Sequence, residues 1–246
     1  MPLVLVLLAA VLPSILWLLV MRWWDRGEPE PPRLLARLFV GGIVGALVIA
    51  ILRFLGQVTL VSSGILPPLS TLSPEDGMTA LLGGALLIAT IQEVVKFAIA
   101  KRLVENQRAF SQVVDGIIYT TTVAWGVALV ENAVILTRWF FTLPTLPGTA
   151  IAALVYQLVF TTLLLGVSSG YAGLALGQAR FQSGGAGDAT RYGIFARGLT
   201  EAILLHAAFR FLLYLEQPRL AGVVVVLAAL YLFSRFAVVR FTRTAT

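Results

Sequence analysis

The stretch MTALLGGALLIATIQEVVKFAIA, residues 78–100, runs for twenty-three residues with only two charges, Glu93 and Lys96. As a helix it reaches roughly 34 Å at 1.5 Å per residue, enough to cross a hydrocarbon core about 30 Å thick. Its polar residues are not spread along it. Lys96 lies three positions after Glu93 and four after Gln92, so all three share one flank of the helix. A transmembrane helix with an ionisable flank predicts a bundle whose interior receives those groups, since a charge at the centre of a span costs a few kcal/mol unless it meets a partner or water.

Six further stretches have the same character: Pro2 to Met21, Leu38 to Leu60, Val114 to Leu136, Ala150 to Leu174, Ile194 to Leu215, and Ala221 to Val239. The expected fold is therefore all-α, a polytopic bundle of about seven spans forming one integral membrane domain over residues 1–246. Composition agrees. Apolar residues make up 59% of the chain and charged residues 12%, against about half and a quarter in soluble domains. The first stretch lacks a basic leader and a small-residue cleavage site and runs into Arg22-Trp23-Trp24, an interfacial anchor, so it reads as a retained helix.

Basic residues near the span ends set an expected orientation. Arg22, Arg26, Arg33, Arg37, Lys101, Arg102, Arg108, Arg180, Arg191, Arg197, Arg235, Arg240 and Arg243 fall on one side, and Arg53, Arg138 and Arg219 on the other. Thirteen against three places the amino terminus outside and the carboxyl terminus in the cytoplasm, in a multi-pass protein of the cytoplasmic membrane. The net charge of +6 is thus a topology signal and not a sign of nucleic-acid binding. The stretch from Ser62 to Glu75, with Pro67-Pro68 and Ser73-Pro74, reads as a turn-rich outer loop, and Ser183-Gly184-Gly185-Ala186-Gly187-Asp188 as a flexible inner one. Gly41/Gly45, Gly166/Gly170 and Gly173/Gly177 suit close helix packing.

Several chemistries are excluded. With no cysteine there is no disulfide, thiol nucleophile or thiolate site, and a single histidine, His206, rules out zinc motifs that need two imidazoles. Further intramembrane polar groups include Asp115 and Glu131-Asn132 in the fourth span and Arg197, Glu201, His206 and Arg210 in the sixth. Counting from the span ends brings Glu93, Glu131 and His206 to within about two turns of one level. Glu93 with Lys96, and Arg197 with Glu201, also have the spacing of intrahelical ion pairs, and Asp115 before Gly116 that of a helix cap.

Four fragments in order then carry a resemblance. They are Asp25-Arg26-Gly27-Glu28-Pro29-Glu30-Pro31, Gln92-Glu93-Val94-Val95-Lys96, Asp115-Gly116-Ile117-Ile118-Tyr119 and Glu131-Asn132, completed by His206 in a late span. From about Trp23 to Phe209 the chain resembles the PrsW-type intramembrane proteases, distant relatives of the CAAX prenyl protease and abortive-infection superfamily. The resemblance implies a membrane-embedded peptidase that cuts a single-pass membrane protein, with anti-sigma factors among family substrates. It departs from the pattern at Gln92, where the family has a glutamate. It departs again between Tyr156 and Tyr171, where Gln157, Thr161 and Thr162 stand but no histidine, and at Arg210, where asparagine or aspartate is expected.

The expected catalytic set is Glu93 as general base, His206 to orient water or protonate the leaving amine, and Glu131 to hold His206 or a metal. Asn132 donates to the oxyanion, Lys96 sets the local charge, and Gln92 hydrogen-bonds water. A divalent metal such as zinc on Glu93, Glu131 and His206 is one version of the site. Three other readings remain open: an inactive relative that binds transmembrane helices as a scaffold, a proton- or ion-coupled transporter using the same residues as a relay, and a seven-helix receptor. The transporter reading lacks broken helices at matching places in two halves. A retinal-binding receptor needs a lysine in the last span, which has none.

Overall fold

The computed structural model describes residues 3–24, 29–69, 71–142, 152, 154–181 and 187–241. Among these residues the chain is all-α, with seven long helices: α1 Leu3–Trp24, α2 Pro32–Ser62, α3 Met78–Val104, α4 Val113–Thr142, α5 Thr162–Phe181, α6 Asp188–Tyr214 and α7 Pro218–Phe241. A π-helical turn, Gln157–Thr161, leads into α5. Among the described residues each expected stretch holds one long helix, most of them several residues longer than the apolar run that signalled it, and residues 2, 150, 151 and 153 of those stretches lie outside the described residues. Five segments are long and apolar enough to cross a membrane: Pro32–Ser62, Met78–Val104, Val113–Phe141, Leu154–Phe181 and Pro218–Val238. Helix α1 offers a shorter apolar run, Leu8–Trp23, and α6 is diluted by Arg197, Glu201, His206 and Arg210. The protein is therefore an integral membrane bundle, with five segments among the described residues that are long and apolar enough to span.

Local chemistry sets the helix ends. Pro32 opens α2 at the first position, where a missing N–H costs nothing. Before α3, Asp76 accepts the Ser73 backbone N–H at 2.8 Å, and Gly77 at φ +82° turns the chain into the helix. Asp115 caps α4 as its spacing predicts: one carboxylate oxygen accepts the Ser111 and Gln112 backbone N–H groups at 2.8 and 2.7 Å. Helix α6 ends with the Gln217 N–H on the Leu212 carbonyl at 2.8 Å and the Glu216 N–H on the Leu213 carbonyl at 3.0 Å. Glu216 is left-handed there, and Pro218 starts α7. Of the loop expected from Ser62 to Glu75, the described residues form tight turns that return Leu66 to the protein, buried against Gly83. Of the inner loop, residues 183–186 lie outside the described residues, and Asp188 belongs to α6.

Helix α4 is the axis of the fold. Residues 113–128 are buried without interruption, because α1, α2 and α5 pack on it, while α3 and α6 close the far side against each other. Helix α2 shows lipid a stripe that includes Val44, Leu47, Ile51 and Leu55, all exposed.

The bundle is tight where glycine meets glycine. A Cβ added at Gly42 of α2 would lie 3.0 Å from the Gly126 Cα of α4, and one at Gly116 would lie 2.8 Å from the Gly177 backbone nitrogen of α5. Backbone cannot retreat from such a clash as a flexible side chain can, so Gly116→Val loses more than about 2 kcal/mol of stability. Gly193→Ala, which meets nothing within 4 Å, loses none. Thermal unfolding of both variants in detergent checks the contrast, and equal melting temperatures would refute the packing role.

Candidate active site

Glu93 lies on α3 with its side chain sealed from solvent, and four donors from three helices converge on it. The Lys96 Nζ donates to Oε1 at 2.7 Å, the Ser168 Oγ to Oε1 at 2.8 Å, and the Ser169 Oγ to Oε2 at 3.1 Å. The His206 Nδ1 meets Oε1 at 2.7 Å. The Glu93, Lys96 and His206 side chains are all at 0% exposure. A buried carboxylate survives when it is paired and hydrogen-bonded, and Glu93 is both.

Two consequences follow for His206. A carboxylate at 2.7 Å requires the proton on Nδ1, so this nitrogen is the donor and Nε2 carries the free lone pair. The Nε2 atom is buried and has no hydrogen-bond partner among the described residues. It carries an oriented lone pair, held in place by the bond from Nδ1 to Glu93.

Glu131 belongs to a neighbouring cluster. It accepts a short hydrogen bond from the Gln92 side-chain amide, and it faces Arg53 at 3.4 Å and Arg210 at 3.9 Å. Since Gln92 and Glu93 are consecutive, the two clusters adjoin across one step of α3. Asn132 turns away from both and donates to the Thr162 Oγ1 at 2.9 Å, and its own Oδ1 has no partner among the described residues. The structure thus brings Lys96 and His206 onto Glu93, joins Gln92 to Glu131, and leaves Asn132 of α4 bonded to Thr162 of α5. Arg197 and Glu201 pair at 2.9 Å on an exposed face, as their spacing indicates.

Four contributors escaped the sequence reading. Ser168 and Ser169 stand between Gly166 and Gly170, within the stretch Tyr156 to Tyr171 in which the family pattern has a histidine. Two adjacent hydroxyls in the middle of an apolar helix were the available signal. Arg53, counted above as a topology charge, lies inside α2 and is drawn to Glu131. Glu30, in a fragment whose purpose the sequence left open, is buried and accepts the Tyr119 hydroxyl at 2.5 Å. That bond ties the first fragment to the third. Residues 25–28 of the first fragment lie outside the described residues.

A sequence profile of the PrsW family intramembrane metalloproteases matches residues 30–238, well over half of the chain. The chain belongs to the PrsW family. No curated protein and no solved structure matches it. The family's description as metalloproteases implies a metal held by side chains of this site. Among the described residues, no three histidine, aspartate or glutamate side chains converge as ligands. Glu93 is taken up by an ammonium, an imidazole and two hydroxyls, and Glu131 by two guanidiniums and an amide. Lys96, at 2.7 Å from Glu93, would set one cation beside another. This donor set does not fit a divalent metal. The expected version with a metal on Glu93, Glu131 and His206 places its third ligand with Arg53 and Arg210 instead.

Proposed function

We propose that this PrsW-family protein hydrolyses a peptide bond of a membrane-embedded protein, with His206 as the base and Glu93 as the group that orients it. The observation that carries the reading is the buried Glu93–His206 contact with Nε2 left open. In the proposed step Nε2 takes a proton from water as the oxygen attacks the scissile carbonyl carbon. The imidazolium then passes that proton to the leaving nitrogen as the C–N bond breaks. Glu93 holds the ring through Nδ1–H and balances the imidazolium charge. Lys96 pairs with Glu93 and holds it in place, and Ser168 and Ser169 fix its two oxygens. This shifts the base from Glu93 to His206, because Oε1 already accepts three donors. Asn132 Nδ2, the expected oxyanion donor, is engaged by Thr162 and must leave it to act so. In this reading α1 and α6 cross the bilayer with the other five helices, with the amino terminus outside and the carboxyl terminus in the cytoplasm. The substrate is a single-pass protein of the cytoplasmic membrane, cut in a regulated step such as release of a sigma factor.

A second reading, a non-catalytic scaffold for transmembrane helices, is favoured by two observations: the reacting groups are wholly buried, and Gln92 supplies an amide donor to Glu131 where the family pattern has an acid. One assay separates the two. The purified protein in nanodiscs is given a single-pass reporter, alone and as Gln92→Glu. On the hydrolase reading the parent cleaves and the variant stays within about ten-fold of it, since Gln92 sits beside the reacting groups but does not touch His206. An inert parent that gains cleavage in Gln92→Glu identifies a lapsed enzyme, and inertness of both supports the scaffold.

A further inference from the structure

The Glu131 cluster carries more positive charge than it can use. Arg53 Nη1 lies 3.4 Å from Glu131 Oε1 and Arg210 Nη2 lies 3.9 Å from Oε2. These are the only ion pairs of either arginine among the described residues. A guanidinium offers five N–H donors in a planar fork, yet each arginine spends a single nitrogen here at long range. The Arg210 Nε is buried and has no hydrogen-bond partner among the described residues. The adjoining charges cancel, because Lys96 is matched to Glu93, so two guanidiniums share one carboxylate. No other described carboxylate pairs with either.

Such an excess is costly in a bilayer and is relieved by an anion. The fork of a guanidinium fits a carboxylate with two parallel hydrogen bonds. The cluster is also not sealed: the Arg53 side chain is 32% exposed, while those of Arg210 and Glu131 are 17% and 15% exposed. We infer that Arg53 and Arg210 form a subsite for a carboxylate side chain of the substrate, an aspartate or glutamate, held next to the proposed reacting groups. The inference rests on the hydrolase reading for its substrate, though not for its chemistry. Arg210 follows His206 by one turn of α6, about 6 Å along the axis. An extended peptide advances about 3.3 Å per residue, so the acid lies about two residues from the scissile bond. Glu131 stays between the guanidiniums and orients them, and the substrate carboxylate takes the donors that it leaves unused. The subsite is a specificity device, and neither arginine is a catalytic residue.

The test is binding, read without cleavage. Full-length protein in phosphatidylcholine nanodiscs is titrated with three fluorescent single-pass peptides. One has glutamate two residues from the centre of its span, one has glutamine there, and one has that glutamine with a glutamate at its terminus. The inner-acid peptide binds at least about ten-fold tighter than the other two, the effect of one charge-assisted hydrogen bond. Arg53→Gln and Arg210→Gln each bring that ratio towards one while the glutamine peptide's Kd stays the same. Arg53→Lys, which keeps the charge but not the fork, restores only part. A ratio near one in the parent overturns the subsite without the need for any variant, as does equal preference for the terminal acid. If phosphatidylglycerol nanodiscs abolish the inner-acid preference and leave both other peptides unmoved, the site belongs to lipid phosphate, and the peptide assignment fails. Preference without hydrolysis supports the subsite while sinking the hydrolase reading, and hydrolysis without preference does the reverse.

Discussion

Cleavage of a single-pass reporter by His206→Ala falls by about a hundred- to ten-thousand-fold, the range that a positioned general base contributes. The loss appears in single-turnover rate and not in reporter binding, because His206 at 0% exposure offers no surface to a docking helix. Glu93→Gln gives a loss of similar order for a different reason. The glutamine keeps the shape of the side chain, and its carbonyl still accepts from Nδ1–H, but it no longer balances an imidazolium. The double variant His206→Ala/Glu93→Gln is then hardly worse than either single one, since the two act as a unit. Additive losses would separate Glu93 from His206. Should His206→Ala cleave at the parent's rate, the base is another group and the proposed mechanism is lost.

The second large effect falls on stability. Lys96 is buried at 0% exposure and holds Glu93 at 2.7 Å. Lys96→Met removes one partner and leaves a carboxylate supported by two hydroxyls and an imidazole alone. Breaking a buried pair in this way costs about 3–5 kcal/mol. Removing both charges, in Lys96→Met/Glu93→Gln, leaves only neutral groups and recovers most of that loss. Unfolding of the two variants in mixed micelles, followed by tryptophan fluorescence, measures the difference. A double variant as unstable as the single one would mean that the ammonium supports the fold by its length and packing, and that its charge on Glu93 matters little.

The two experiments also divide the roles of the polar core. Lys96 and Glu93 form a structural pair that any inactive relative would also need, whereas the open Nε2 of His206 serves no packing purpose. A buried polar atom without a partner lowers stability. Retention of one on the single histidine of the chain fits a chemical use.

Much of this protein was legible in its sequence. Apolar runs of about twenty residues specified where helices form, since backbone hydrogen bonds must be met within a segment that lipid surrounds. Spacings of three and four residues specified the Glu93–Lys96 and Arg197–Glu201 pairs, and Asp115 specified the start of α4, because these partners lie within one turn and depend on nothing else. Tertiary structure alone decided who meets whom across helices. His206 reaches Glu93 over 113 positions, Ser168 over 75, and Tyr119 reaches Glu30 over 89. Glu131, at a similar expected depth, turns to Gln92 and the two arginines. Depth along a helix follows from counting residues. Rotation about its axis and the crossing with its neighbour do not, because they are set by side-chain packing and by backbone contacts such as Gly42 on Gly126 and Gly116 on Gly173.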